Sequence, residues 1–121
     1  MAEKLYKPLL IDSLTAKVNL PKQVFVDFEG NICTAGKKAF GVCDVETDAN
    51  QLAPIAVLGI LLVVSGGTIT KGSNVTSDST GRAVVATSSD AINGYALDDA
   101  SEGEVIRICL LYTSDAADDL I

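Results

Sequence analysis

From residue 22 onward, short apolar runs alternate with clusters of Gly, Asp, Ser and Thr, and this rhythm predicts β-strands closed by turns. Val24-Phe25-Val26-Asp27-Phe28 is β-branched and aromatic, Glu29-Gly30-Asn31 reads as a turn, and Ile32-Cys33-Thr34 resumes the strand, which together predict a hairpin. Residues 39–45 form another apolar run, with Gly41 inside it. Residues 52–58 and 60–64 read as two strands broken or bent at Gly59, with Pro54 placing the first at a sheet edge. Ser65-Gly66-Gly67 and Asp78-Ser79-Thr80-Gly81 are turns. Residues 74–77, 82–86, 92–97 and 104–108 supply further strands, and 98–103 has room for one helical turn. No window shows a 3.6-residue apolar period. The expectation is an all-β domain of about eight short strands, a sandwich or small β-barrel.

Two stretches resemble each other. Val24, Asp27 and Gly30 recur as Val75, Asp78 and Gly81 at an offset of 51, and Gly41 recurs as Gly94 at an offset of 53. In each, the Asp side chain can bond back onto a turn whose Gly accepts a positive φ. A duplication explains the pattern, and so do two hairpins meeting the same local demand.

Residues 1–21 mix apolar and charged positions with few turn signals. They read either as an arm, with Leu5, Tyr6, Leu9, Leu10 and Ile11 as its partner-binding positions, or as a first strand of the domain. Arms of this kind commonly add to a neighbour's sheet edge. The division expected is therefore 1–21 arm or first strand, 22–108 β-domain and 109–121 tail. That tail, from Cys109 through Tyr112-Thr113-Ser114-Asp115-Ala116-Ala117-Asp118-Asp119, resembles a translated sequencing adapter, which would put the authentic sequence's last matched residue near 108.

Composition narrows the chemistry. The 121 residues suit one domain, which needs no metal or disulfide to bury a core. The net charge of -7 disfavours a phosphate backbone as partner, so no nucleic acid is expected. Without Asp115, Asp118 and Asp119, 13 acidic residues face 9 basic ones, a milder net of -4. No secretory leader is read at the start. The apolar stretch at 55–64 is about half a membrane span, so no membrane partner is expected. Cys33, Cys43 and Cys109 match no zinc spacing, and Cys33 and Cys43, in apolar strand-like runs, read as small buried hydrophobes.

The chain has no His, which removes the commonest general base and metal ligand together. Lys71 beside Ser65 and Ser73 could form a Ser–Lys pair but lies in a Gly-rich turn. Gly66-Gly67-Thr68-Ile69-Thr70-Lys71-Gly72-Ser73 has the wrong Lys–Gly order for a phosphate loop. Asp44, Glu46 and Asp48 alternate, and Asp98, Asp99, Glu102 and Glu104 flank a loop; both read as solvated acids rather than a glycosidase pair or a Ca²⁺ site. No enzyme activity, cofactor or metal is expected.

The second half carries a family pattern. Val63-Val64-Ser65-Gly66-Gly67-Thr68-Ile69-Thr70-Lys71-Gly72, Val75-Thr76-Ser77-Asp78, Gly81-Arg82-Ala83-Val84, Gly94-Tyr95-Ala96-Leu97 and Gly103-Glu104-Val105 resemble the capsid decoration, or cement, proteins of tailed bacteriophages. Phe25-Val26 and Gly41-Val42 resemble their N-terminal half more loosely. The resemblance covers about residues 20–108. It implies a β-barrel-like or β-tulip-like module on the virion exterior, made in the host cytoplasm. It implies the phage major capsid protein as partner, homo-oligomers with a trimer favoured, and capsomers clamped together. It assigns no site residues. The alternative is a β-clip-like or carbohydrate-binding module without catalysis.

Overall fold

The computed structural model describes residues 6–110, and they form an all-β fold of eight strands. The strands are β1 (Lys7–Thr15), β2 (Phe25–Val26), β3 (Gly41–Cys43), β4 (Leu52–Val64), β5 (Val75–Ser77), β6 (Ala83–Val85), β7 (Tyr95–Ala96) and β8 (Val105–Leu110). Six build one curled sheet in the order β2-β3-β4-β8-β7, with β1 on the opposite edge of β4; β5 and β6 form a separate pair.

β4 organises the molecule. It is one thirteen-residue strand rather than two. Gly59 bends it at φ 115° without ending it, because β1 holds one edge there and β8 the other. Pro54 is tolerated in this central strand, not an edge one. It lies one residue past the Cys43–Ile55 pair that ends the β3 ladder, and its carbonyl accepts the Asp44 N–H. The near-continuous apolar sequence of β4 follows from its position between two cores. Ala53 and Ile55 enter a smaller core with Ala16, Leu20, Val26 and Cys43. Ala56, Leu61 and Val63 enter a larger one around Phe25, Ile69, Val75, Ile106 and Ile108.

The hairpin expected at 24–34 is reduced to a turn with a single bridge, Val26 to Ile32, and β2 pairs with β3 instead. Residues 98–103 form a turn and bend with no helix. Cys33 and Cys43 are fully buried, free and packed as hydrophobes, and burial raises both thiol pKa values. Cys109 and Leu110, within the segment read as a tail, continue β8 opposite Ile60 and Gly59; residues 111–121 lie outside the described residues.

The two Asp-x-x-Gly turns are built alike. Asp27 Oδ1 accepts the N–H groups of Glu29 and Asn31, both at 2.9 Å. Asp78 Oδ1 accepts those of Thr80 and Arg82 at 2.8 and 2.9 Å. Gly30 and Gly81 carry the positive φ, 93° and 83°. Partial burial alone would raise the Asp78 pKa. The Thr80 and Arg82 amides, the Thr80 hydroxyl and the Arg82 charge outweigh it, and the carboxyl sits below its ordinary value. A depressed folded pKa gives stability that is fully present above the unfolded carboxylate range and is lost as pH falls through the folded value. Asp78→Ala is expected to cost about 2 kcal/mol at pH 7, the worth of hydrogen bonds to a charged group. Chemical denaturation at pH 7 and pH 3 should show the gap between variant and wild type shrinking in acid.

The likeness extends from the turns to the whole backbone. The pairs from Ile11–Ala56 to Thr15–Leu52 recur from Ile60–Cys109 to Val64–Val105, at offsets of 49 on one strand and 53 on the other. The bridge Leu20–Thr47 recurs as Ile69–Ala100 with the same two offsets. So do the bonds Ala16 N to Gln51 O, recurring as Ser65 N to Glu104 O, and Gln23 N to Cys43 O, recurring as Gly72 N to Ala96 O. The positive φ angles follow the same rule, Gln23 with Gly72 and Asn50 with Gly103. Local turn chemistry cannot impose matching long-range pairs. The chain is therefore two structurally repeated units, and β4 is both the last strand of the first and the first strand of the second.

Candidate protein-binding surface

Among the described residues no group of three or more His, Cys, Asp and Glu is placed to hold a metal. The second acidic cluster is largely committed to the fold. Asp98 pairs with Arg107, accepting its Nη2 at 3.0 Å and Nε at 3.2 Å, Asp99 accepts the Lys71 N–H, and Glu104 accepts the Ser101 N–H. The Gly66–Ser73 stretch carries the Ile69–Ala100 bridge and a turn, and no helix follows it.

What the surface does offer is apolar. β1 pairs with β4 along its whole length, yet most of its side chains face outward. Leu9, Leu10 and Ile11 are 73%, 53% and 44% exposed. Among the described residues β4 is its sole strand partner, so its other edge is open. Beside it runs a groove of about 470 Å³ lined by Leu10, Phe28, Phe40, Val57, Leu58 and Leu110, with Asp12 and Lys38 also on its wall. Phe28 and Phe40 stand with ring centroids 5.5 Å apart at 54°, and Phe28 is 54% exposed. Exposed large apolar side chains gathered into one patch mark an interaction surface far better than the same residues scattered singly.

The five residues singled out in the sequence divide. Leu9, Leu10 and Ile11 stand together on the exposed strand. Tyr6 turns inward instead and packs against the larger core, its hydroxyl buried near the Asp44 carboxylate. Burial, and then the neighbouring Asp44 carboxylate, raises the phenol pKa. Leu5 lies outside the described residues. Sequence reasoning missed the groove, because Phe28, Phe40, Val57 and Leu58 read as strand positions and only the topology leaves Phe28 exposed and the other three half-buried along its wall.

A search of the curated proteins gives no match. Among solved structures the fold is similar to the head fiber gp8.5 N base in bacteriophage phi29, with a TM-score of 0.70 and 21% sequence identity over 84% of this chain and 92% of that one. The family model for the phage cement protein matches residues 11–110, which takes in β4 and the walls of the groove other than Leu10. That span is most of the sequence, so the chain belongs to the phage cement protein family and is a structural protein of the phage head.

Proposed function

We propose that the protein binds the exterior of the assembled head and stabilises the shell by bridging neighbouring capsomers, without catalysing a reaction. The observation that carries this reading is the apolar groove and strand left open on a fold of the cement family. The partner is the phage major capsid protein, and the working form is a homo-oligomer, with a trimer favoured. Each contact is modest, since a buried Phe or Leu side chain contributes roughly 1.5–3 kcal/mol. An oligomer that engages several capsid subunits at once turns such contacts into avidity.

Purified cognate heads, mixed with the protein and pelleted, are expected to carry it on their outer surface in cryo-EM difference density and to resist heating better than bare heads. Phe28→Glu places a charge in the groove without touching the core, and is expected to weaken binding by at least about tenfold, the equivalent of 1.4 kcal/mol. Heads that stay bare at saturating protein would overturn the reading.

A further inference from the structure

We propose that the free edge of β1 is closed to strand addition, so that neither a strand of the shell nor the β1 of a second copy extends the sheet there. This deepens the shell contact proposed above and rests on it. The contact is made by apolar side chains of the capsid protein against Leu10, Phe28 and Phe40, not by main-chain pairing along β1. It runs against the reading of this stretch as an arm that adds to a neighbour's sheet.

The direction of each main-chain group on β1 follows from its partner strand. Opposite residues of an antiparallel pair either exchange both hydrogen bonds or turn both sets of groups away, and the two kinds alternate. Pro54, opposite Ser13, has no N–H, and its carbonyl accepts the Asp44 N–H on the other side of β4. Ser13 therefore turns its N–H and C=O to the free edge, and Ile11 and Thr15 do the same, while Asp12 and Leu14 bond to β4.

An added strand would have to pair with that outward row, and most of it is already engaged. Asp12 Oδ1 accepts the Ser13 N–H at 2.8 Å. The Thr15 carbonyl faces Gly30, so close that no Cβ fits there, and the Lys17 N–H donates to the Gly30 carbonyl at 2.9 Å. The turn after β2 thus closes this end of the edge. Toward the other end, Pro8 has no N–H to offer, and the Lys7 carbonyl and Leu9 nitrogen lie against Gly59 of β4. The register shifts between Pro8 and Leu10 and again between Leu10 and Ile11, which breaks the alternation. Among the described residues of the regular stretch 11–15, Ile11 alone keeps both outward groups open, and one residue makes no ladder. Proline, bulges and a charged side chain on an edge are the features that keep sheets from joining edge to edge.

Ser13→Pro removes the central outward N–H at an exposed position whose opposite residue is itself a proline. It is expected to keep the wild-type circular dichroism and denaturation midpoint, and to bind cognate heads within about twofold of the wild type, while Phe28→Glu loses at least about tenfold. A folded Ser13→Pro that loses about tenfold would mean that a strand is added at this edge, and would overturn the proposal. Hydrogen exchange on the wild type needs no variant. In the free protein the Ile11 and Ser13 amides are expected to exchange faster than those of Asp12 and Leu14, and to keep that order on decorated heads. Equal protection in the free protein would overturn the edge geometry. Ile11 and Ser13 amides as protected on heads as Asp12 and Leu14 would reveal a ladder at the edge and overturn the proposal too. Heads left bare by the wild type would sink the shell reading alone, since exchange in the free protein judges the edge by itself.

Discussion

Gly59→Val is expected to destabilise the protein by about 3 kcal/mol or more and to loosen β1 from the sheet. At φ 115° the residue occupies backbone space that a β-branched side chain enters only with strain, which alone costs of order 1–3 kcal/mol. A Cβ there would also lie 2.6 Å from the Lys7 carbonyl oxygen and the Leu9 nitrogen, and 3.1 Å from the Pro8 Cα. These are backbone atoms and cannot rotate aside, so β1 itself must move. The Lys7–Ile60 and Pro8–Gly59 pairs are lost first, and Tyr6 with them. Guanidinium denaturation should show a lower midpoint, and hydrogen exchange should show faster exchange concentrated in residues 7–11. Wild-type stability in this variant would mean that β1 does not lie against Gly59.

Phe25→Ala is expected to cost about 3–5 kcal/mol, the range for truncating a buried aromatic side chain. Phe25 is fully buried and heads the largest buried side chains. It belongs to the first unit by sequence but packs in the core that the second unit dominates, among Val75, Ala83 and Ile106. Its backbone makes the same crossing, since its N–H donates to the Gly81 carbonyl at 2.7 Å. The cavity would therefore open between the units. Against a total stability of 5–15 kcal/mol for an ordinary domain, such a loss removes a large share. Urea unfolding should remain a single transition at a much lower midpoint. A variant that unfolds in two steps would show that the units are separable.

Some of this architecture was readable in the sequence because it is local. The Asp27 and Asp78 turns follow from side-chain chemistry within five residues, and both form as their composition implies. Pairing is not local. Nothing near Phe25 says that β2 prefers β3 to the segment after its own turn. Gly59 looks like a break because sequence cannot show that strands on both edges hold it in place. The repeat was visible at Asp27 and Asp78 but not at Gln23 and Gly72 or Asn50 and Gly103. There the backbone recurs while the residue changes, Asn accepting the left-handed region more readily than most side chains. The exposed apolar patch was half legible. Leu9, Leu10 and Ile11 stand out as an apolar run on a charged stretch, but Tyr6 carries the same sequence signal and faces the core. Phe28 and Phe40 could not be told from core residues, because exposure depends on which neighbour the fold fails to supply.

Sharing β4 between the units also shapes how the chain must find its fold. The ladder to β1 joins residues from 37 apart at Thr15–Leu52 to 53 apart at Lys7–Ile60, and the ladder to β8 joins residues 41 to 51 apart. Neither grows outward from a tight hairpin, so a large loop has to close before either yields its contacts. Topologies of this kind fold in milliseconds to seconds rather than microseconds. For that interval Leu52–Val64, thirteen residues with no charged side chain, has only the short β3 as a nearby partner and waits for β1 and β8, made far earlier and later in synthesis. The strand that unites the finished molecule is thus the stretch most open to aggregation while the molecule is being made.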